Sequence, residues 1–400
     1  MRRTFPNFII LTGSLLVLMG AGCKPSTKTS RIQPAGNALA AWKMDTAMSV
    51  PDSAVAPSNA PSSAAAPSLR TAKTLSNYLG RLAPEPQLFL VDADSTSLVR
   101  GDGGTILHIN PADLALPDGS APKAPIVVLL QELASQQDIA LAGAQTLAGD
   151  QLLESAGAYA IQISSGNQPL TLRDGKALRA LFPKPANIAA GMQLFYGQRN
   201  ELGAMNWTAA GQALDKKDST AIMTTDRQYY SDVSVMGYGV CTEGTRAWVG
   251  RRARYTGDSI TKAQVAAIEE AEASVYEAVS LSRLGWINCD RFLNTRPEEI
   301  TQLACTVEDG TGKNDPVRLF LVFKGINSVL DRWYLPTQQA GQEAFKNIPR
   351  GEAVRLVAVS KGKHGLRAAQ YNLTTGEAAS QVITLQPATD QELKQMFAVR

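Results

Sequence analysis

The sequence is poor in the side chains that most often carry chemistry. Its 400 residues hold two histidines, His108 and His364, and four cysteines, Cys23, Cys241, Cys289 and Cys305. A zinc site built from histidine, cysteine and carboxylate needs more ligands at close spacing, and no CxxC, HxxxH or HExxH run occurs. His108 therefore reads as part of an alternating strand, and His364 as part of the loop KGKHG. No GxSxG run marks a serine nucleophile. The glycine-rich GDGG at 101–104 has neither the following helix nor the Lys-Ser/Thr of a phosphate cradle, so it reads as a turn. No metal and no cofactor is expected. Strong charge of either sign is also missing. Thirty-nine basic against 36 acidic residues leave a net charge of +3, too small to point to nucleic acid as partner. The densest basic run, RAWVGRRAR (Arg246 to Arg254), alternates like the solvated face of a strand.

Apolar runs long enough to span a bilayer are absent as well. The longest, FIILTGSLLVLM from Phe8 to Met19, follows Arg2 and Arg3 and is too short for a permanent membrane helix. It leads into GAGC, with Gly20, Ala21 and Gly22 before Cys23. This arrangement resembles the lipobox of bacterial lipoproteins, although Gly20 stands where a leucine is usual. The resemblance implies that residues 1–22 are a signal peptide and that Cys23 is the lipidation site. RRTF is also similar to the twin-arginine motif, but paired arginines are common in ordinary leaders, and the general secretory route is expected. Lys24, in place of the Asp that signals inner-membrane retention, implies an outer-membrane lipoprotein facing the periplasm. A membrane is thus an expected partner, reached through the N-terminal lipid anchor.

From residue 23 to 85 the chain is dominated by Ala, Pro and Ser, as in SVPDSAVAPSNAPSSAAAPS (Ser49 to Ser68). Such a composition offers no core to offset its ordering entropy, so 23–85 reads as a disordered tether, with a short helix near Leu69–Leu82. About sixty flexible residues would hold a folded head roughly 40–45 Å from the membrane. Beyond Pro86 the pattern changes to short alternating strands. IVVLLQEL (Ile126 to Leu133), AGAYAIQIS (Ala156 to Ser164) and MQLFYG (Met192 to Gly197) are separated by Gly, Pro, Asn and Asp punctuation. The fold class expected is mainly β, α+β overall: a β-sandwich over 86–210, then a mostly antiparallel domain over 226–400. The second domain should contain one long helix, Thr261 to Gly285, capped by Thr261 with Gln264 and stopped by Gly285. It should also contain ITQLACTVE, VRLFLVFKG and AVRLVAVSKG as strands and TDQELKQMFA as a terminal helix.

Segments like GGTILHINPADL, LLESAGAYAIQI, MQLFYG and MNW, followed by GWINCDRF, resemble in kind and order uncharacterised envelope lipoproteins of Bacteroidetes-type bacteria. The likeness spans residues 97–207 and the chain from 284 onward. It implies a fold class and a location, and no reaction. The first domain is also similar to ZU5 modules, but His108-Ile109-Asn110 stands where their His-Phe-Ser cleavage site would be, so that activity is not implied.

GWINCDRF, Gly285 to Phe292, is the one stretch dense in polar and reactive side chains. Trp286 offers a large apolar body, Asn288 and Asp290 can hydrogen-bond backbone, and Arg291 can fork onto a carboxylate. These residues with Cys289 form a structural motif in the second domain, at a helix-to-strand junction. A catalytic Cys289 would need a base, usually His, and neither histidine sits in a fitting motif. With Cys23 lipidated, three cysteines are left. Cys289 and Cys305 are spaced for a disulfide on neighbouring strands, other pairings and buried free thiols being the alternatives. The function expected is a lipid-anchored, non-enzymatic envelope module that binds protein or glycan. The rival is a hydrolase or thiol enzyme using Cys289 or an acidic pair such as Glu298 and Glu299.

Overall fold

The structure is a computed structural model. It describes residues 30–31, 66–185, 190–214, 246–249, 252–255, 279–308, 315–335, 343–363 and 365–398. The fold is mainly β, with several antiparallel sheets and few helices. Four of the sheets stack with their apolar faces inward, and three helices fill the middle.

The large sheet runs in the order Ser30–Arg31, Gln87–Val91, Ile126–Leu133, Gln151–Ser165, Gly285–Phe292, Gln193–Arg199 and Met205–Ala213. Its neighbours along this path pair antiparallel. Period-two alternation explains its two faces. Along Gln151–Ser165, Ala156, Tyr159, Ile161 and Ile163 point into one core, while Ala158 and Ala160 point into another. The first of these cores is closed by a smaller sheet of Val279–Leu281, Leu178–Leu181, Ile106–Ile109 and Ser97–Arg100. Val99, Leu107, Ala180 and Leu281 from that sheet meet Val128, Ile161, Leu194 and Ile287 from the large one. This pair of facing sheets is the sandwich.

A third sheet carries Val329–Tyr334, Val317–Phe323, Ala353–Gly362, Gly365–Thr374 and Gln386–Pro387. One of its faces packs on a fourth sheet of Glu343–Pro349, Ile300–Val307 and Ser380–Ile383, through Leu319, Leu321, Leu356, Leu303 and Phe345. Its other face shares a core with the second face of the large sheet. Between them lie helix α1 (Ala66–Gly80), helix α2 (Gln136–Leu141) and helix α3 (Asp390–Phe397). Leu75 and Leu79 of α1, Ile139 of α2 and Phe397 of α3 meet Trp286 and Phe195 on one side and Phe320 and Val357 on the other.

Local sequence explains the helix ends. Thr389 and Glu392 form a capping box that starts α3, and Ser135 and Asp138 do the same for α2. Ala72, Leu75 and Leu79 recur at three- and four-residue intervals, so α1 buries one stripe.

Three expectations are corrected here. The short helix expected near 69–82 is α1, Ala66–Gly80, but with four side chains in the shared core it is part of the fold, so the stretch 23–85 is not tether throughout; SVPDSAVAPS lies outside the described residues. Most of the helix expected over 261–285 also lies outside them, but its last part is Val279–Leu281, a strand of the small sheet, and Gly285 opens a strand instead of ending a helix. Finally, the boundary between 86–210 and 226–400 does not separate two sheets. Gly285–Phe292 crosses it and lies inside the large sheet. Asp226, the expected start of the second domain, is outside the described residues, while RAWV and RARY form a hairpin, Arg246–Val249 with Arg252–Tyr255.

Candidate functional site

GWINCDRF occupies the middle of the large sheet, hydrogen-bonded on one edge to Gln151–Ser165 and on the other to Gln193–Arg199. Six consecutive residues, Gly285 to Asp290, are buried. A strand covered on both faces cannot alternate apolar with solvated residues, so its polar side chains must find partners inside the protein. The register makes that possible. Asn288 pairs with Ala158 and Asp290 with Ser155, so a bulge on the partner strand falls opposite Cys289. Gly157 sits in that bulge at φ +142°, where a Cβ would come within 2.8 Å of the Tyr159 hydroxyl. Only glycine fits both conditions there.

The bulge turns Ser155 toward the motif. Its Oγ donates to Asn288 Oδ1 at 3.0 Å and accepts from the Gly157 N–H at 3.1 Å. Asn288 Nδ2 then donates to Asp290 Oδ2 at 2.6 Å. Asp290 Oδ1 has no partner among the described residues, and the side chain is completely buried. Burial pushes its carboxyl well above the usual range; the Ser155 hydroxyl works the other way and the Glu154 charge adds to the rise. Around the same bulge, the Ser155 N–H donates to Asn327 O at 2.9 Å, Asn327 Nδ2 to Ser155 O at 2.6 Å, and the Ser328 hydroxyl to Leu153 O. The turn between two strands of the third sheet is thus fastened to the motif's neighbour. At the far end, Arg291 Nε donates to Glu154 Oε2 at 2.6 Å.

Trp286 faces the shared core, 4% exposed. The Arg199 guanidinium lies 4.5 Å from its ring centroid and donates to three carbonyls, those of Ala142, Gly143 and Gly203, at 2.7–2.8 Å. A cation over an indole is attracted by the ring face, and desolvation strengthens that attraction. The loop after α2 also reaches the third sheet. Gln145 O accepts from the Trp207 indole N–H at 2.6 Å, Gln145 Nε2 donates to Met205 O, and its Oε1 accepts the Asp331 N–H. Arg318 and Asp331, each 1% exposed at the side chain, form an ion pair there. Gly143, at φ +62°, lies against the Arg318 guanidinium, which a Cβ would meet at 2.6 Å. Sequence reading passed over this pair, although part of its signal was present: Arg318 is the one charged residue in the apolar strand VRLFLVF, and Asp331 stands in VLDRWY.

The expected disulfide between Cys289 and Cys305 is not formed; both are free, buried thiols. They lie in different cores. Cys289 packs between the large and small sheets, while Cys305 packs between the third and fourth. The strands that looked like neighbours belong to different sheets. Burial, and then the Asp290 charge, pushes the Cys289 thiol far above its ordinary range. Burial and Glu343 push Cys305 up to about 12. Neither thiol is poised as a nucleophile, since that role requires the thiolate.

The other candidates do not converge. His108 sits on Ile106–Ile109, with burial and then Arg179 lowering its pKa. Glu299 is partly exposed and paired with Arg296, and Glu298 is exposed beside the same arginine. GDGG is a turn held by Glu132, whose carboxylate accepts the Gly103 N–H at 2.7 Å, the Thr105 N–H at 3.0 Å and Gln87 Nε2 at 2.7 Å. A shallow surface hollow of about 340 Å³ opens over the third sheet, lined by Lys324, Ala353, Asn372 and Glu377 among others, and no motif residue lines it. Cys23, Cys241 and His364 lie outside the described residues. No group of three or more metal-ligating side chains occurs among the described residues, and no described helix is long and apolar enough to cross a membrane. The chain matches no protein-family model and no curated protein.

Proposed function

We propose that this chain is an exported, lipid-anchored module of the cell envelope, held by Cys23 and facing the periplasm, that binds a protein or glycan partner through its surface. The reading places it among the envelope lipoproteins that share GWINCDRF. The observation that carries it is the contrast between the N-terminus and GWINCDRF. The N-terminus has the charged n-region, short apolar run and small residues before a cysteine that lipid attachment uses. The one stretch that looked reactive is instead buried and satisfied mainly by its own neighbours. Cys289, Asp290 and Trp286 then serve as scaffold, and recognition falls to the surface.

The test is mass spectrometry of the N-terminal peptide from the native membrane, followed by crosslinking in the intact envelope. A mature chain beginning at an acylated Cys23, with a reproducible envelope crosslink, is the result expected. A chain beginning elsewhere, or an unmodified Cys23, contradicts the anchor.

A further inference from the structure

We propose that the hollow over the end of the third sheet is a sugar-binding site that takes a hydroxyl-rich chain bearing a carboxylate. The inference rests on the reading that recognition falls to the surface, and it names the place and the ligand class.

Strand register explains why the hollow is there. The Lys324 N–H donates to Ala353 O at 2.8 Å, and Ala353 pairs with Thr374 on the next strand. Cross-strand partners share a face of the sheet, so an alanine stands between two longer side chains. The missing bulk opens a space of about 340 Å³. One row over, Arg355 Nε donates to Asn372 Oδ1 at 3.3 Å, while its Nη1 donates to Met396 O and Ala398 O at the end of α3. The Asn372 carboxamide is thereby oriented, with its Nδ2 donors left for a ligand. Glu377 enters from the turn that follows the strand. That turn is fixed: Thr375 Oγ1 donates to Pro349 O at 2.6 Å and accepts the Glu352 N–H at 2.9 Å. Gly376, at φ +84°, lies against Arg350, which a Cβ would meet at 2.9 Å. The walls are set before a ligand arrives, which lowers the ordering cost of binding.

The residue types select the ligand. The hollow is at the lower end of the volume range of small-ligand sites and is open on one side. Its occupant keeps one face in water, whereas a largely apolar ligand needs an enclosing pocket. The strand of Ala353 is hydrogen-bonded on both sides, so the floor offers no open edge to an added peptide strand. Sugar hydroxyls both donate and accept, which matches Asn372 Nδ2 and the Thr374 hydroxyl as donors with Glu377 as acceptor. Ala353 and Leu373 offer apolar contact to the ring carbons. Lys324, the only cation among the described lining residues, faces the carboxylate.

Calorimetric titration of the full-length protein, in a sugar-free detergent, tests the proposal with two tetrasaccharides. One alternates glucuronic acid with N-acetylglucosamine; the other is N-acetylglucosamine alone. The acidic sugar should bind at millimolar concentration, about three-fold tighter than the neutral one, as an exposed ion pair allows. Lys324→Met should abolish that preference and leave the neutral sugar's affinity unchanged. Ala353→Phe should fill the hollow and abolish binding at an unchanged melting temperature. If that variant does not fold, Asn372→Ala with Glu377→Ala must lose binding instead. No binding of the acidic sugar, or binding that survives these hollow variants, overturns the site. An acid preference retained in Lys324→Met overturns the carboxylate. An unacylated Cys23 would defeat the anchor reading and leave the titration untouched. Blank titrations beside a reproducible protein crosslink would defeat the sugar site and leave the anchored module standing.

Discussion

Asn288 Nδ2 donates to Asp290 Oδ2 at 2.6 Å, two residues along one strand and on the same buried face. Asp290 Oδ1 is left without a described partner, and burial raises the carboxyl's pKa well above its usual range. Stability should therefore depend on pH through Asp290. A buried acid with a raised pKa holds its proton in the folded state after the unfolded chain has lost it. Its contribution is complete below the ordinary value of 3.8 and is lost as the pH climbs toward the folded-state pKa. Asp290→Asn keeps the Asn288 contact and removes the titration. The variant should gain on the wild type as the pH rises from about 4, by at most about 1.4 kcal/mol per pH unit. Urea melts of both proteins across that range measure the difference, and parallel profiles would contradict a raised Asp290 pKa.

Trp286→Ala opens a cavity in the core shared by the large and third sheets and strips the ring from under Arg199. A loss of roughly 3–5 kcal/mol is expected, as for large aromatics elsewhere. Chemical denaturation reads it directly. An unchanged midpoint would mean that the indole is not in the core.

Helix α1 should matter for folding, contrary to what its Ala/Pro/Ser-rich surroundings imply. Leu75 and Leu79 are 1% and 0% exposed. Leu75→Ala should cost about 2–5 kcal/mol. A chain starting at Gln87 should melt several degrees below one starting at Ala66. Equal melting temperatures would show that the helix does not dock.

The buried pair of Arg318 and Asp331 gives a contrast between single and double replacement. Asp331→Ala leaves a cation in the shared core and should cost about 3–5 kcal/mol. Arg318→Met with Asp331→Leu replaces both charges by apolar groups and should be near neutral or stabilising. Thermal melts of the two variants separate these outcomes.

The strands themselves were legible because period-two alternation is a local signal: IVVLLQEL, AGAYAIQIS, VRLFLVFKG and AVRLVAVSKG all fold as read. The capped end helix was equally local. What the sequence could not reveal was partnership over distance. Asn288 pairs with Ala158, 130 positions away, and nothing inside GWINCDRF names that neighbour. The same blindness made Cys289 and Cys305 look like adjacent-strand partners, because their spacing is close while their sheets are separate. Val279–Leu281 showed the opposite failure: a helical stripe read from sequence gives way to a strand that completes the small sheet. In α1 the three-and-four spacing of Ala72, Leu75 and Leu79 was readable, but its burial depends on a third sheet built more than two hundred residues later.

The central claim is that GWINCDRF is the buried middle of a sheet and not a reactive centre. Alkylation of Cys289 in the native, unreduced protein, read at the peptide level by mass spectrometry, tests it most directly. Cys289 is 0% exposed with its thiol pKa raised by burial, so it should stay unmodified at neutral pH and label fully once the protein is denatured, without needing a reductant. Rapid labelling of Cys289 in the folded protein would contradict the account.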